Sequence, residues 1–564
     1  MRGLEPTLHG GLSMARDPRI SEPVPAPSPS TNWDEVVGFL MDPATHRLAV
    51  PPTRIDTHAA VVVLAGPLAY KLERPVRFPF LDFSTPALRE AACRREIAVD
   101  RPIAPEIYRR VVAITREADG RLALGGEGPP VEWAVEMNRF DETATLDRRL
   151  AAGPLADDLL DALAATLARA EARAPRRDAG EWIADLGRWI DQNAVAFAAA
   201  PALFDVEAAA RLGAVSGARL ADLTDLLVAR GRLGLVRLGH GDLHTGNIAV
   251  IDGRALPFDA VAFDDRVATG DLLYDVGFLV MDLADRGDRA GARRLLDRFL
   301  IESARLEAEA RIRFGAPAGF ATRAATFLDG LDGLAALPLF LSIRAGLRAK
   351  IAAARALRLD GTDRALAEVE ARRLFAAALA HLEPVTPRLV AIGGLSGSGK
   401  STLARGLAPV LDPTPGAVVL RSDEIRKLLA GLVATARLGP EHYTPEASAR
   451  IYAALEEAAR RLLAAGRSVI VDAASLRPAE RAALAHLAVA AEVPFTGIWL
   501  DVDAETALAR VGERRGDASD ADTEVVRFQL GLDLGRLDWH RLAANGAPEA
   551  TLAAARALFG GAAV

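Results

Sequence analysis

Residues 393–402 read Gly-Gly-Leu-Ser-Gly-Ser-Gly-Lys-Ser-Thr, and this stretch decides the fold of the C-terminal part of the chain. From Gly394 to Ser401 it matches the phosphate-binding loop pattern G-x-x-x-x-G-K-[ST]. The apolar run at 389–392 predicts a buried strand before the loop, and residues 402–411 predict a helix after it. Glycines let successive backbone N–H groups curve around a polyphosphate, next to the positive end of the helix. The stretch therefore predicts a nucleotide-phosphate site between a strand and a helix.

The side chains of this loop have separate predicted roles. Lys400 is expected to reach the β- and γ-phosphates of a nucleotide, and Ser401 to hold Mg²⁺. A chance glycine-rich turn is the alternative, but strand, lysine, hydroxyl and helix all coincide with the motif. The predicted nucleotide-binding residues are Gly394, Ser396, Gly397, Ser398, Gly399, Lys400, Ser401 and Thr402.

Lysine is rare in this chain, which makes each lysine informative. Lys and Arg total 68, yet lysine occurs only at Lys71, Lys350, Lys400 and Lys427. Arginine fills most cationic positions, so a lysine indicates a place where a compact ammonium is needed instead of a planar guanidinium. Lys400 is one such place, and Lys71 is a second.

The composition is typical of a globular protein, and the chain is too long for one hydrophobic core. The 564 residues correspond to about three or four domains' worth of material. Hydrophobic residues make up 50% and charged residues 25%, and no apolar run reaches the roughly 18 residues of a membrane span. The net charge of −7 argues against general nucleic-acid binding. The lone Cys93 excludes an intramolecular disulfide, and a cytoplasmic location is expected.

The chain divides into a tail and two predicted domains. Residues 1–30 are rich in Pro and Ser, lack the apolar segment of a signal peptide and predict a disordered tail. Residues 31–384 form the first domain, with a small β-rich lobe to about 138 and a helical lobe from 139. Residues 385–564 alternate strands with helices, which predicts a parallel sheet. The predicted strands are 59–64, 111–115, 131–137, 389–393, 417–422, 468–472 and 495–501, and the predicted helices include 86–100, 155–174, 180–199, 216–231, 287–312, 319–358 and 363–382.

A second informative segment, residues 238–248, reads LGHGDLHTGNI. Asp242 is followed five residues later by Asn247, which is the spacing of the kinase catalytic loop. Asp242 is the predicted base, because one carboxylate must accept or orient the proton of the acceptor hydroxyl. Asn247 and Asp259, which follows a short apolar strand, are the predicted metal ligands. An Asp/Asn-rich turn is the alternative, and His244 is more simply a loop residue than a ligand.

Lys71 completes this second set. It follows a β-like run, where a kinase needs a lysine that pairs with a helix glutamate and holds the α- and β-phosphates. Glu96 on the next helix is the preferred partner, and Glu90 is the second choice. A solvated strand lysine is the alternative reading.

Three further features lie beyond the phosphate loop. Asp423 and Arg426 follow the second predicted strand, where an acid would activate the acceptor and an arginine would hold the substrate; a helix N-cap is the alternative for Asp423. Asp472 ends a buried strand and is predicted to contact Mg²⁺ through water. Arg510 and Arg514 are predicted lid arginines that neutralise charge in the transition state, with a solvated helix face as the alternative.

These segments together carry a resemblance. Residues 31–384 resemble the aminoglycoside phosphotransferase-like branch of the protein-kinase fold, whose catalytic loop reads H-G-D-L-H-x-x-N. Residues 388–560 resemble P-loop kinases, and the tandem resembles the bacterial family called bifunctional aminoglycoside phosphotransferase/ATP-binding proteins. One departure is that no G-x-G-x-x-G precedes Lys71. The resemblance implies an α+β bilobal protein-kinase-like domain followed by an α/β P-loop NTPase domain with a parallel sheet.

The expected function is transfer of the γ-phosphoryl group of ATP, with Mg²⁺, to a small hydroxyl- or amine-bearing acceptor. A P-loop ATPase that regulates the first domain and a nucleotide-sensing protein are the alternatives. The presence of a candidate general base, Asp242, argues against a nucleotide-sensing protein, since sensing needs no general base. Asp282, Asp285 and Glu302 are candidates to receive a cationic acceptor, although their spacing is uninformative. Neither the acceptor nor the oligomeric state follows from the sequence.

Overall fold

The computed structural model describes residues 31–57, 59–78, 81–513 and 517–560. The predicted tail at 1–30 and the predicted lid residue Arg514 lie outside the described residues. The fold class expected from the sequence is confirmed, because a bilobal α+β kinase-like part is followed by an α/β part whose sheet is parallel.

The small lobe is an antiparallel sheet with a helix on each face. Its elements are α1 (Thr31–Met41), β1 (Thr53–Asp56), β2 (Ala60–Ala65), β3 (Leu68–Glu73), β4 (Arg77–Phe78), β5 (Leu81–Asp82), α2 (Pro86–Asp100), β6 (Tyr108–Arg116), β7 (Leu122–Leu124) and β8 (Pro130–Asn138). The sheet order is β1-β2-β3-β8-β6-β7. Val63, Tyr70 and Leu72 pack under α1 on one face. Side chains alternate along a strand, so Lys71 points to the other face, where α2 lies.

The helical lobe surrounds one almost fully buried helix. Its elements are α3 (Leu146–Leu150), α4 (Asp157–Arg173), α5 (Ala179–Ala198), α6 (Val206–Arg232), β9 (Val236–Leu238), β10 (Ile248–Ile251), β11 (Arg254–Pro257), α7 (Asp265–Ala268), β12 (Thr269–Asp271), α8 (Leu272–Asp285), α9 (Arg289–Arg313), α10 (Phe320–Asp332), α11 (Leu337–Ala356) and α12 (Gly361–Ala380). Every residue of α8 from Leu272 to Leu283 is buried, and α9 and α11 pack against it. The short antiparallel pairs β9–β12 and β10–β11 hold the segment that contains Asp242 and Asn247.

The third part is a parallel sheet covered by helices. Its elements are β13 (Leu389–Gly394), α13 (Lys400–Leu407), β14 (Val418–Arg421), α14 (Ser422–Ala430), α15 (Pro445–Ala464), β15 (Val469–Asp472), α16 (Pro478–Ala490), β16 (Phe495–Asp501), α17 (Ala504–Glu513), α18 (Thr523–Leu530), β17 (His540–Ala543) and α19 (Pro548–Ala557). The strand order is β14-β15-β13-β16-β17, with all pairs parallel. The carboxyl ends of β13, β14 and β15 therefore lie side by side, where ligands bind in such sheets.

The helical lobe and the P-loop part share one buried apolar cluster. Leu428 of α14 belongs to the same cluster as Phe299 of α9 and Leu331 of α10. Ion pairs border this contact, with Arg298 3.2 Å from Glu424 and Arg461 2.7 Å from Asp332. The two parts therefore bury apolar surface against each other.

Several elements differ from the sequence prediction, among them one in the helical lobe and one in the P-loop part. The single helix predicted over 319–358 is two helices, α10 and α11, joined by a 3-10 turn at Gly333–Ala335. Pro338 lies in the first turn of α11, because proline has no N–H to donate inside a helix but is tolerated at its start. The edge strand β17 has no counterpart among the predicted strands; its residues His540–Ala543 are mostly exposed and lack an apolar run.

We expect the shared core to unfold as one unit. Phe340 is completely buried in this cluster, so Phe340→Ala should lower the free energy of unfolding by about 3–5 kcal/mol. Phe314→Ala is the matched control, since that side chain is 82% exposed. Urea unfolding should show a single transition, with intrinsic fluorescence and far-UV circular dichroism shifting together. Two separated transitions, with only one displaced in Phe340→Ala, would contradict a shared core.

Candidate active sites

The first site is a cleft of about 350 Å³ between the two lobes of the kinase-like part. This volume lies in the range of small-molecule sites, about 300–1,000 Å³. Lys71, Glu73 and Glu96 line it from the small lobe. Phe258 and Asp259 line it from the segment after β11.

Lys71 joins the two lobes by ion pairs. Its Nζ donates to Asp259 Oδ1 at 2.8 Å and lies 3.0 Å from Glu96 Oε2. Burial acts to lower the pKa of Lys71, but Asp259 and Glu96 together raise it well above its ordinary value. The ammonium is therefore charged in the cleft. The second-choice partner, Glu90, pairs instead with Arg94 at 2.7 Å on the outer side of α2.

The structure brings Asp242 and Asn247 together on the loop between β9 and β10. Asn247 Nδ2 donates to Asp242 Oδ2 at 3.1 Å, while its buried Oδ1 has no hydrogen-bond partner among the described residues. Asp259 has a positive φ of 61°, and its N–H donates to the Tyr108 hydroxyl at 2.9 Å. Backbone conformations of this kind concentrate at functional sites. An amide oxygen is thus left free beside the Asp242 carboxylate.

Helix α8 and His240 hold the loop in place. Asp275 accepts hydrogen bonds from the N–H groups of His240 at 2.7 Å and Gly241 at 3.0 Å. Gly241 has a φ of 78°, and a Cβ there would lie 2.9 Å from Ala268 Cα. The His240 ring hydrogen-bonds the Phe258 carbonyl at 3.0 Å, which ties the loop to the segment that carries Asp259. His240 therefore shapes the loop.

The surroundings of Asp242 favour its ionised form. Burial acts to raise the pKa of Asp242, but His244, His240 and Arg348 outweigh it and hold that pKa below its ordinary value. His244 Nδ1 accepts from the Gly246 N–H at 3.1 Å, so the proton of the neutral ring is on Nε2, which lies 3.6 Å from Asp242 Oδ2. A carboxylate that is unprotonated at neutral pH is what a general base requires.

Sequence reasoning missed Glu73, which is buried beside Lys71. Burial raises its pKa to about 8; Lys71 opposes this rise, and Glu96 and Asp259 add to it. A signal for Glu73 exists in the sequence, because residues two apart on a strand point to the same face. Asp100 is a second missed acid, and it accepts from the Ala260 N–H at 3.1 Å.

Glu73 should make the stability of the small lobe depend on pH. Between about pH 4.5 and 8 the folded protein keeps a proton on Glu73 that the unfolded chain releases. Stability should therefore fall as pH rises through this window, by at most about 1.4 kcal/mol per pH unit for one group. The free energy of unfolding of Glu73→Gln should fall less steeply with pH than that of the parent. The difference between the two, variant minus parent, should therefore be more positive at pH 8 than at pH 6.

Urea unfolding of the parent, Glu73→Gln and a Glu90→Gln control at both pH values would test this expectation. Glu90 lies on the outer side of α2 in an exposed ion pair, so its substitution should leave the slope unchanged. Parallel profiles for the parent and Glu73→Gln would contradict the assignment.

The second site surrounds the loop between β13 and α13. Lys400 Nζ donates to the carbonyls of Gly394 at 3.0 Å and Leu395 at 2.8 Å. Gly397 has a φ of 84°, and a Cβ there would lie 2.5 Å from the Ala507 carbonyl oxygen. The Ser396 N–H donates to Gln529 Oε1 at 2.8 Å. The remaining predicted residues of the loop, Ser398, Gly399, Ser401 and Thr402, lie along the turn into α13.

Asp472 lies beside this loop at the end of β15. It is buried, and within the described ranges its Oδ2 has no hydrogen-bond partner. Burial raises its pKa, while Arg421, Lys400 and a hydrogen bond with Ser401 act in the opposite direction. Asp472 and Ser401, the two predicted metal ligands, are therefore in contact.

Asp423 and Arg426 lie on α14, next to the segment 440–443. Arg426 Nη1 donates to the His442 carbonyl at 2.6 Å, and its guanidinium lies 4.8 Å from the centre of the Tyr443 ring. Its Nε is buried without a hydrogen-bond partner. Asp423 lies in the first turn of α14 without acting as its N-cap residue, which is Arg421.

Arg510, a predicted lid residue, contacts the segment after β17. Its guanidinium donates to the carbonyls of Ala544 at 2.7 Å, Asn545 at 3.2 Å and Gly546 at 3.3 Å. It therefore secures the segment after β17. Arg421, which sequence reasoning missed, is 3.6 Å from Asp472, 2.5 Å from Asp517 and 3.5 Å from Glu424.

Both sites offer oxygen ligands that suit Mg²⁺. Among the described residues, no three His, Cys, Asp or Glu side chains form a cluster able to hold a metal on their own. Mg²⁺ at nucleotide sites takes one or two carboxylates, with nucleotide phosphates and water as the other ligands. The unpartnered buried oxygens of Asn247 and Asp472 are consistent with such positions.

The comparisons with known proteins agree with this architecture. A family model described as an AAA domain matches residues 389–531. An uncharacterized protein of Mycobacterium tuberculosis (strain H37Rv) is 30% identical over 506 residues, covering 88% of this chain and 92% of that protein. The same values hold for a protein of Mycobacterium bovis. This chain belongs to the family of these mycobacterial proteins. The tandem of an aminoglycoside phosphotransferase-like domain and a P-loop kinase domain is confirmed.

Solved structures resemble each part separately. A choline/ethanolamine kinase family protein from Mesorhizobium loti matches 62% of this chain and 98% of its own, with 14% identity and a TM-score of 0.31. A gluconokinase from Sinorhizobium meliloti matches 31% of this chain and 94% of its own, with 21% identity and a TM-score of 0.23. Within the described residues, no single helix could cross a membrane by length and hydropathy; one bent pair, Phe320–Ala335 with Leu337–Ala356, meets that test jointly.

Proposed function

We propose that this chain is an ATP-dependent phosphotransferase with two Mg·ATP sites, and that the kinase-like site transfers the γ-phosphoryl group to a small acceptor. The observation that carries the proposal is the ion-paired Lys71, held by Glu96 and Asp259, with the loop of Asp242 and Asn247 tied to the segment of Asp259 through His240. A cation for phosphates, free oxygen ligands for a metal and an ionised base occur together here. That set is what phosphoryl transfer requires.

Each side chain has one task in this proposal. Lys71 binds the α- and β-phosphates, and Asn247 and Asp259 would hold Mg²⁺, which supplies charge neutralisation on the phosphates when bound. Asp242 accepts the proton of the acceptor hydroxyl. A bond then forms between the acceptor oxygen and the γ-phosphorus, while the bond from that phosphorus to the bridging oxygen breaks and ADP leaves. Catalysis is mainly positioning and charge neutralisation.

The two carboxylates should respond differently to substitution. Asp259→Ala should weaken Mg·ATP binding about tenfold or more, because it removes a metal ligand. Asp242→Asn should leave binding within about threefold and lower turnover about 10²–10⁴-fold, the usual contribution of a general base. Both changes are made in a full-length Lys400→Ala chain, so that calorimetry reports the kinase-like site alone.

Turnover is measured as transfer of label from γ-labelled ATP to a metabolite extract. Asp252→Asn, in the exposed turn between β10 and β11, is the matched control and should change neither quantity. Equal loss of nucleotide binding in Asp242→Asn and Asp259→Ala would show that the separate roles are wrong.

The second candidate function is regulation of one site by the other. A chain of ion pairs favours it: Arg298 of α9 lies 3.2 Å from Glu424, which lies 3.5 Å from Arg421, which in turn lies 3.6 Å from Asp472. A side chain of the helical lobe is thus linked to a proposed metal ligand of the P-loop site.

Nucleotide titration of the full chain distinguishes two independent sites from regulation of one site by the other. Calorimetry should find two sites in the parent, one in Lys71→Ala, one in Lys400→Ala and none in the double variant. If the sites are coupled, the affinity of the remaining site should differ from the parent by about 5–150-fold, the range of ordinary allostery.

The Arg298→Met variant tests the route of that coupling. It should remove the affinity shift, whereas Arg305→Met should not, because Arg305 pairs only along its own helix with Glu302 and Glu309. Unchanged affinity at each site in the single variants would reject regulation and favour independent sites. A single site in the parent would contradict the two-site proposal itself.

A further inference from the structure

The buried face of α2 is charged instead of apolar. Its buried side chains are Arg89, Cys93, Glu96 and Asp100, which recur at the helical spacing of three to four residues. A helix that packs only to bury surface carries apolar residues on this face, because a buried charge is costly unless it is paired. The partners of the three charged side chains therefore show what this helix positions.

Two of the three charged side chains are paired with the sheet of the small lobe. Arg89 Nε donates to Glu132 of β8 at 3.0 Å, and Glu96 Oε2 lies 3.0 Å from Lys71 Nζ on β3. These pairs join opposite charges, which offsets the cost of burying them. Asp100, the third, forms no ion pair with a described residue and instead accepts a backbone hydrogen bond.

Asp100 occupies an unfavourable position for an acid. It is the last residue of α2, where the negative end of the helix dipole disfavours a carboxylate. It is completely buried, and its Oδ2 has no hydrogen-bond partner among the described residues. Burial and the nearby Glu96 raise the pKa of Asp100 well above its ordinary value. An apolar side chain would suit this position better if the position served packing alone.

The hydrogen bond of Asp100 is made next to the proposed metal ligand Asp259. Asp100 Oδ1 accepts from the N–H of Ala260 at 3.1 Å, and the N–H of Asp259 itself donates to the hydroxyl of the buried Tyr108 at 2.9 Å. These two N–H groups belong to the peptide planes on either side of the Asp259 Cα. Because peptide units are planar, holding both planes fixes the φ and ψ of Asp259.

The backbone of Asp259 needs this support because its φ of 61° lies in the left-handed region, which is disfavoured for a residue with a Cβ. The plane before Asp259 is held twice, since the His240 ring also hydrogen-bonds the Phe258 carbonyl at 3.0 Å. Among the described residues, only Asp100 hydrogen-bonds the plane after Asp259. The left-handed conformation therefore depends most on Asp100.

We propose that Asp100 is a positioning residue of the kinase-like site, which fixes the backbone of Asp259 through the Ala260 N–H and so holds the Asp259 carboxylate in place for Mg²⁺. The inference rests on the proposed phosphotransferase function, in which Asp259 is a metal ligand. Glu96 lies four residues before Asp100, about one helical turn, on the same face of α2. One helix thus places both the partner of Lys71 and the metal ligand.

The test measures ATP binding by calorimetry, once with Mg²⁺ and once with EDTA, in a full-length chain that carries Lys400→Ala. The ratio of the two affinities is the Mg²⁺ enhancement of ATP binding at the kinase-like site. Asp100→Leu keeps a side chain of similar size but has no acceptor, and it should lower the Mg²⁺ enhancement about tenfold or more, as loss of a group that orients a metal ligand does. ATP affinity in EDTA should stay within about threefold of the parent, because Lys71 and Glu96 are unchanged.

Two further variants separate positioning from packing. Asp100→Asn keeps an acceptor oxygen and should restore the Mg²⁺ enhancement to within about threefold of the parent. Tyr108→Phe should cause a smaller loss than Asp100→Leu, because the His240 ring still holds the plane before Asp259.

Arg95→Met is the matched control. Arg95 also lies on α2 and donates to the same segment, but its bond of 3.1 Å goes to the carbonyl of Ala262, which does not flank Asp259. Its loss should leave the Mg²⁺ enhancement unchanged.

The Asp259→Ala background tests whether Asp100 acts through the metal ligand. That ligand is already absent there, so adding Asp100→Leu should lower the Mg²⁺ enhancement no further than about twofold. Thermal unfolding of each variant identifies any loss of folding. If Asp100→Leu does not fold, the same comparison with Tyr108→Phe decides.

The outcomes distinguish the positioning role from the proposed function. A folded Asp100→Leu chain with the Mg²⁺ enhancement of the parent, equal losses in Asp100→Leu and Arg95→Met, or additive losses with Asp259→Ala would overturn the positioning role. A parent chain that binds ATP equally well in Mg²⁺ and in EDTA, or does not bind it at the kinase-like site, would instead contradict the proposed function.

Discussion

The ion pairs of Lys71 are the interaction on which the kinase-like site depends. One ammonium connects β3, α2 and the segment after β11, because it contacts Glu96 and Asp259 while Glu73 lies beside it. These carboxylates are tolerable in a low-dielectric cleft only while the cation is present, since an uncompensated buried charge typically costs about 3–5 kcal/mol. A compact group with three donors suits this position, which explains a lysine in a chain that otherwise uses arginine.

Helix α8 performs the corresponding task on the other lobe. Its N-cap residue Asp271 pairs with Arg230 at 2.6 Å, Asp275 accepts from the backbone before Asp242, and Asp282 accepts from the Thr245 N–H. The last two carboxylates are seven residues apart, about two helical turns, so they lie on one face. The buried helix α8 thus holds both sides of the catalytic loop. Asp242 is therefore positioned by a packed core instead of by a flexible turn.

Local patterns predicted several of the long elements well, and contacts between distant parts of the chain poorly. The bounds of α2 agree with the sequence prediction, because an N-cap threonine and a proline start it. The lysine–glutamate partnership followed from a motif that specifies both residue types. Glu73 and Arg421 carry no motif of their own, and their importance arises from burial and from neighbours brought close by the fold. The carbonyls that the Arg510 guanidinium contacts could not be inferred from any spacing in the sequence.

The contact between the kinase-like part and the P-loop part shows that a part with its own candidate catalytic residues need not be structurally independent. Two prolines, Pro384 and Pro387, lie at the predicted domain boundary, and each part carries its own lysine, acids and proposed metal ligands. Yet Ile425 and Leu428 of α14 are buried in the same cluster as Phe299 of the helical lobe. Separating the parts would return this apolar surface to water at about 25 cal/mol per Å². The helix that carries Asp423 is therefore supported by the kinase-like part, so the P-loop site depends structurally on a lobe with which it shares no catalytic residue.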